Sequence, residues 1–418
     1  MLDIAALCLV ATALFAYANH RLVGLPTTIG VMAIALVLSL AMVGLDHFGF
    51  HSLRDYEASV LASIDFSDVL MEGMLSFLLF AGALHVDLSE LRSWRWQIGI
   101  LALLGTTLSA ALVGFALWYV LPWFDIRLPL AWCVVFGALI SPTDPVAVLG
   151  ILKSAGAPKS VEVVIAGESL FNDGVGVVLF ALALAMLRNP EAANVAEGGR
   201  LLLHEAGGGI AFGLALGFVT YWLLRSIDSY QEEVLITLAA VMGGYAMASH
   251  LHVSGPLAMV VVGLVVGNHG RAYAMSDTTR RHVDMFWELL DAILNSILFV
   301  LIGLEIILLK FSSALILPAL AVTLIVLLAR LVTVAIPAGA FRRSFGLPAG
   351  AWRILTWGGL RGGISVALAL SIPVGPERDV VVSFTYVVVV ASILVQGLTM
   401  GRVVRKACGV PASTASSH

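Results

Sequence analysis

Four oxygen-bearing side chains stand in one short stretch, GESLFNDGVGVVLF at 167–180, whose other residues suit hydrocarbon. On a helix, Ser169, Asn172 and Asp173 fall three or four positions apart and share a face, with Glu168 at its edge. A second polar interruption, SPTDP at 141–145, carries Thr143 and Asp144 between two prolines that each remove a backbone donor. A third, WGGLRGG at 357–363, carries Arg361, and Arg330 stands inside LLARLVTV. Carboxylate, hydroxyl and carbonyl oxygens together make a ligand set for a hard cation. A carboxylate held at mid-membrane needs a cation or a proton, so ion carriage is the chemistry that these residues suit best.

Several of them also have plainer readings. Ser169 and Asn172 fit interhelical hydrogen bonding as well as ion contact. Asp144 before Pro145 is a common helix start, and capping and ligation are compatible roles for it. Arg330 cannot shed its charge, so in hydrocarbon it needs an acid or water. Glu168 is its expected partner, in a structural pair. Arg361, between glycine pairs, is expected to offset helix-end dipoles where two broken helices cross, and it is also the alternative partner for Glu168.

Such residues need a membrane scaffold, and the composition supplies one. Of 418 residues, 60% are hydrophobic and 12% charged, which excludes an ordinary water-soluble globule. Apolar runs of the length that a bilayer requires give about thirteen spans. The fifth, near 128–151, and the twelfth, near 350–373, are the interrupted ones. Lying seven spans apart, they cross the bilayer in opposite directions. That suits two inverted repeats, about 1–187 and 232–402, around a linking helix at about 205–227; broken helices at matching positions mark a transporter's binding site. Lysine and arginine fall in alternate connections, roughly 15 on one side against 6 on the other, which puts the C-terminus inside and the N-terminus outside. Residues 405–418 read as a short cytoplasmic tail. No basic block suggests nucleic acid, and the three cysteines show no metal-ligand or disulfide spacing. The glycine-rich run AGGGIAFGLALG at 206–217 suits close helix packing or dimerisation.

The motifs GESLFND, SPTDPVAV and WGGLRGGISVALAL, with FLLFAGALHVDLSELR at 77–92 and FVLIGLE at 299–305, resemble the NhaP-type sodium/proton antiporters, kin of the animal exchangers. The resemblance covers nearly the whole chain. It implies thirteen transmembrane helices in two inverted repeats, a core domain with two crossing broken helices, a dimerisation domain, and alternating access in the plasma membrane, the inner one in a prokaryote. It also implies a homodimer in lipid, with sodium and protons as substrates and no cofactor. By motif position, Asp173 would carry the cation or proton, and Asp144, Thr143 and Ser169 would be further sodium ligands. Asn172 would orient the site, and Glu168 with Arg330 would form the ion pair. An asparagine before the carrier aspartate implies electroneutral exchange. Some relatives have an acid where this chain has Ala81, so a third-span contribution must come from elsewhere, Glu72 being the candidate, or be absent. Potassium/proton exchange is the nearest alternative; a channel or an intramembrane hydrolase are rivals, the latter without the Gly-x-Ser-x-Gly elbow or a mid-span histidine.

Overall fold

A computed structural model describes residues 2–46, 73–188, 200, 203–305, 313–340, 346–348 and 350–408. The described residues contain helices and connections and no strand. With no water in a bilayer core, a chain this apolar must satisfy its backbone within each segment, and helices do so.

The rods, in chain order, are α1 (Leu2–Ala18), α2 (Thr27–Asp46), α3 (Leu75–Leu84), α4 (Arg95–Phe124), α5 (Leu130–Ile140) and α6 (Val146–Ser154). They continue as α7 (Lys159–Arg188), α8 (Gly208–Arg225), α9 (Tyr230–His250), α10 (Gly255–Val265), α11 (Asp277–Glu305) and α12 (Ile316–Ala340). The last are α13 (Ala351–Trp357), α14 (Gly363–Leu370) and α15 (Pro376–Cys408). Seven helical segments are long and apolar enough to cross a membrane, and three shorter apolar helices lie among the rest. Large apolar side chains such as Leu14, Leu104, Phe218 and Leu324 are exposed, an arrangement that only a hydrocarbon solvent favours.

Most expected boundaries hold within a few residues. The tenth span differs: the apolar run suggests a start near 286, whereas α11 begins at Asp277, because its first turns, DTTRRHVD, form a polar extension of the same helix. At the other end of the chain, α15 continues through Arg405 to Cys408, so the helix takes in part of the expected tail. Residues 409–418 and Glu72 lie outside the described residues.

Two hydrophobic cores hold the rods. The larger joins α4 to α7 and α12 to α15 with Ile29–Ala35 of α2 and Leu298–Ile302 of α11. The smaller joins α3, α9 and α10 with Val283 and Trp287 of α11, where Trp287 Nε1 donates to Thr237 Oγ1 (3.1 Å). The glycine-rich run is spent inside the chain: Gly209, Gly213 and Gly217 present one face of α8 to α10. A Cβ at Gly213 would stand 2.7 Å from the Ala258 carbonyl oxygen, so a larger residue would push these two helices apart.

Candidate functional site

The chain breaks twice, and the breaks meet. At 141–145 Pro142 and Pro145 cannot donate, so α5 ends and α6 begins with carbonyls and amides free for other partners. Each finds one. The Asp144 amide donates to the Leu360 carbonyl of the other break (2.9 Å), and the Thr143 amide donates to Asn172 Oδ1 (3.1 Å). Arg361 Nη1 donates to the Pro142 carbonyl (2.9 Å) and also to that of Ser141. The guanidinium therefore lies against the negative end of α5, where a fixed positive charge is favoured.

At 358–362 the backbone is satisfied in the same way. The Arg361 amide donates to Ser392 Oγ (3.0 Å), and Gln396 Nε2 donates to the Trp357 carbonyl (3.2 Å). Both partners belong to a π-helical stretch of α15, Ser392–Gly397, whose wider turn re-aims these side chains toward the break.

Asp144 stands where two helix starts converge. Its Oδ1 accepts from the Val146 amide (2.8 Å), capping α6. Its other oxygen lies against Gly362, just before α14, where a Cβ would collide with the carboxylate. The starts of both helices, α6 and α14, thus face this carboxylate.

The polar face of α7 closes the arrangement. Asn172 Nδ2 donates to Thr143 Oγ1 (2.8 Å), so Asn172 holds Thr143 by backbone and side chain together. Thr143 Oγ1 also lies 3.0 Å from Ser169 Oγ, a hydrogen bond in which either hydroxyl can donate. Close approach of α7 to the break depends on Gly176, since a Cβ there would overlap the Pro142 ring. Asp173 is 7% exposed and lines a cavity of about 480 Å³ together with Thr143 and Asp144. The ion pairs of the described residues, Lys159–Glu90, Arg271–Asp284 and Arg330–Glu168, include neither Asp144 nor Asp173. Two carboxylates thus share a cavity without a basic partner, a charge deficit that one cation or proton would reduce.

Glu168, one position from this face, points elsewhere. Its two oxygens receive the two terminal nitrogens of Arg330, the Nη2–Oε2 bond being 2.9 Å, and Nη2 also donates to the Leu355 carbonyl at the end of α13 (3.0 Å). The pair is deeply buried and ties α7 to α12 and α13.

The cavity also has other walls. Asp291, an ionisable residue whose depth in its span the sequence leaves open, lines it from α11, and so do Asn295 of α11 and Ser365 of α14, which motif reading passes over; Ser365 Oγ has no partner among the described residues. Ser365 lies in an apolar run without any charge to flag it, and only the crossing of the breaks brings it near. Ala81 of α3 lines the cavity as well and brings no oxygen-bearing side chain to it.

Fold and site together define a helical, multi-span membrane protein of the transporter class, with a buried carboxylate-lined cavity between two broken helices. The chain belongs to the sodium/hydrogen exchanger family, whose profile, described as "Sodium/hydrogen exchanger, transmembrane", matches residues 10–406. It is 54% identical over 410 residues to the Na(+)/H(+) antiporter NhaP of Pseudomonas aeruginosa, covering 97% of each chain. It is 36% identical to the Na(+)/H(+) antiporter NhaH of Halobacillus dabanensis, covering 96% of each. Its fold matches that of the sodium proton antiporter MjNhaP1 from Methanocaldococcus jannaschii, with a TM-score of 0.76 at 20% identity over 97% of both chains.

Proposed function

We propose that this protein exchanges sodium for protons across the plasma membrane, with Asp173 binding either cation in turn. The observation that carries the reading is the buried, unpaired Asp173 carboxylate facing a cavity shared with Asp144 and Thr143. In this reading a sodium ion is held by Asp173, Asp144, Ser169 and Thr143, while Asn172 keeps Thr143 in place through its two hydrogen bonds. Glu168 and Arg330 are scaffold, and Arg361 compensates the helix end that the first break exposes.

One carboxylate serving two cations is enough for coupling. An unneutralised site crosses a low-dielectric barrier at great cost, so the loaded forms move and the empty form stays. Sodium and proton then compete, and each crossing in one direction is paid back by the other cation in reverse. With asparagine before the carrier aspartate, the exchange is electroneutral. No cofactor is called for.

The architecture that suits this mechanism is thirteen spans in two inverted repeats, with a core domain that moves against a dimerisation domain in a homodimer. By the distribution of lysine and arginine, the N-terminus is outside and the C-terminus cytoplasmic. Lys153 and Lys159, exposed residues of the cavity lining, fall on the side that the same distribution assigns to the cytoplasm, which supports a cavity open to that side. The test is a preset pH gradient in everted vesicles containing the protein. Sodium is expected to dissipate it, with the rate unchanged when the membrane potential is clamped. Current without proton movement would instead mean a channel.

A further inference from the structure

Four residues of α11, Glu288, Asp291, Asn295 and Leu298, line the cavity at spacings that put them on one face of the helix. They form a graded stripe about 15 Å long, from the mouth to the two breaks. Glu288 is exposed and Asp291 half-buried, Asn295 is 2% exposed, and Leu298 is packed where a Cβ on Gly363 would stand. Beyond Leu298 the same helix is buried through Ile302, so the stripe ends at the ion site.

Among the described residues Asp291 has no basic partner at this depth, and the neighbour that holds it is Asn295. It takes no part in the ion pairs of the described residues. Its carbonyl oxygen accepts from Asn295 Nδ2 (3.0 Å), which fixes the amide over the turn that carries it. Asn295, 2% exposed, thus lines the cavity beside the carboxylate with its amide fixed on the helix. Carboxylate and amide oxygens together suit a cation that has lost part of its water.

We propose that Asp291, held by Asn295, is a staging residue for the transported cation: it concentrates sodium and begins to replace its hydration shell before Asp173 and Asp144 take over. This rests on the sodium/proton reading above. Asp291 belongs to neither broken helix nor to α7, so it acts on loading from the open side and is not a permanent ligand of the carried ion. Acids outnumber lysines in the cavity lining, and a cleft of net negative charge raises the local cation concentration, an effect that falls with ionic strength.

The experiment is sodium-driven dissipation of a pH gradient in everted vesicles, with wild type, Asp291→Asn, Asp291→Glu and Asp173→Asn at matched membrane abundance. Asp291→Asn is expected to raise the apparent KM for sodium about fivefold while the maximal rate stays within about twofold, and added choline chloride is expected to narrow the gap to wild type. Asp291→Glu, which keeps the charge, is expected to restore a low KM. An unchanged KM in Asp291→Asn, a fall in maximal rate alone, or a Glu variant that behaves like the Asn variant would each overturn the inference. Failure of wild type to exchange sodium at all would overturn the functional reading instead, and the two failures are distinct.

Discussion

Removing the carboxylate of Glu168 alone is expected to harm the protein more than removing its whole ion pair. Glu168 is 1% exposed and Arg330 6%, and the two share parallel hydrogen bonds, with one further acceptor, the Leu355 carbonyl, for the guanidinium. In Glu168→Gln the buried guanidinium is left without its acid. An uncompensated buried charge of this kind costs about 3–5 kcal/mol. With an unfolding entropy of about 2 cal/mol/K per residue, a chain of 418 residues loses about 4–6 °C of midpoint for that cost. The double variant Glu168→Gln with Arg330→Met removes both charges and keeps similar volume, so it is expected to recover at least half of the loss. The assay is thermal unfolding of the detergent-solubilised protein, followed by the loss of its monodisperse chromatographic peak. Additive losses in the double variant, or a single variant within about 1 °C of wild type, would refute the argument that the pair is a mutually dependent clamp.

Four further expectations concern the site and its surroundings. Asn172→Ala removes both hydrogen bonds to Thr143, each worth about 1 kcal/mol net, and is expected to lower exchange about tenfold at unchanged membrane abundance. Gly362→Ala drives a methyl group into the Asp144 carboxylate, and Gly176→Ala drives one into Pro142; both are expected to depress exchange, with Gly176→Ala also lowering thermal stability. Because protons and sodium compete for one carboxylate, the apparent KM for sodium is expected to rise as pH falls with little change in the maximal rate at saturating sodium, read from full titrations at each pH. Outside the membrane, the Ser89 hydroxyl and amide hold the Asp87 carboxyl below its ordinary range as it caps the short helix Leu88–Ser93. A depressed acid stabilises the folded form above its ordinary titration range and loses that contribution as pH falls through its lowered value, so faster amide exchange at Ser89 and Glu90 is expected in that acidic window.

Much of this arrangement could be read from the chain, for physical reasons that differ by residue. Asp144, Asp173, Arg330 and Arg361 were conspicuous because charge in hydrocarbon is costly, and the prolines and glycines beside them marked the breaks. The bonding itself was less legible. Whether Glu168 would meet Arg330 or Arg361 was open, since the choice depends on how α7, α12 and the second break pack; in the fold Arg361 faces the carbonyls of Ser141 and Pro142 and Arg330 takes the acid. Ser365 and Asn295 carried no signal of their own, because a neutral polar residue in a membrane helix usually bonds its own backbone. The start of α11 was misjudged for the opposite reason: its polar first turns look like a loop when hydropathy alone is followed.

The central claim is that the load on Asp173 is the transport reaction. The most direct measurement compares wild type with Asp173→Asn in oriented proteoliposomes, recording sodium uptake and proton efflux in the same preparation. An amide cannot exchange a proton for a cation, so both fluxes are expected to vanish while the protein remains folded and monodisperse. Coupled exchange at the wild-type rate in Asp173→Asn would contradict the account.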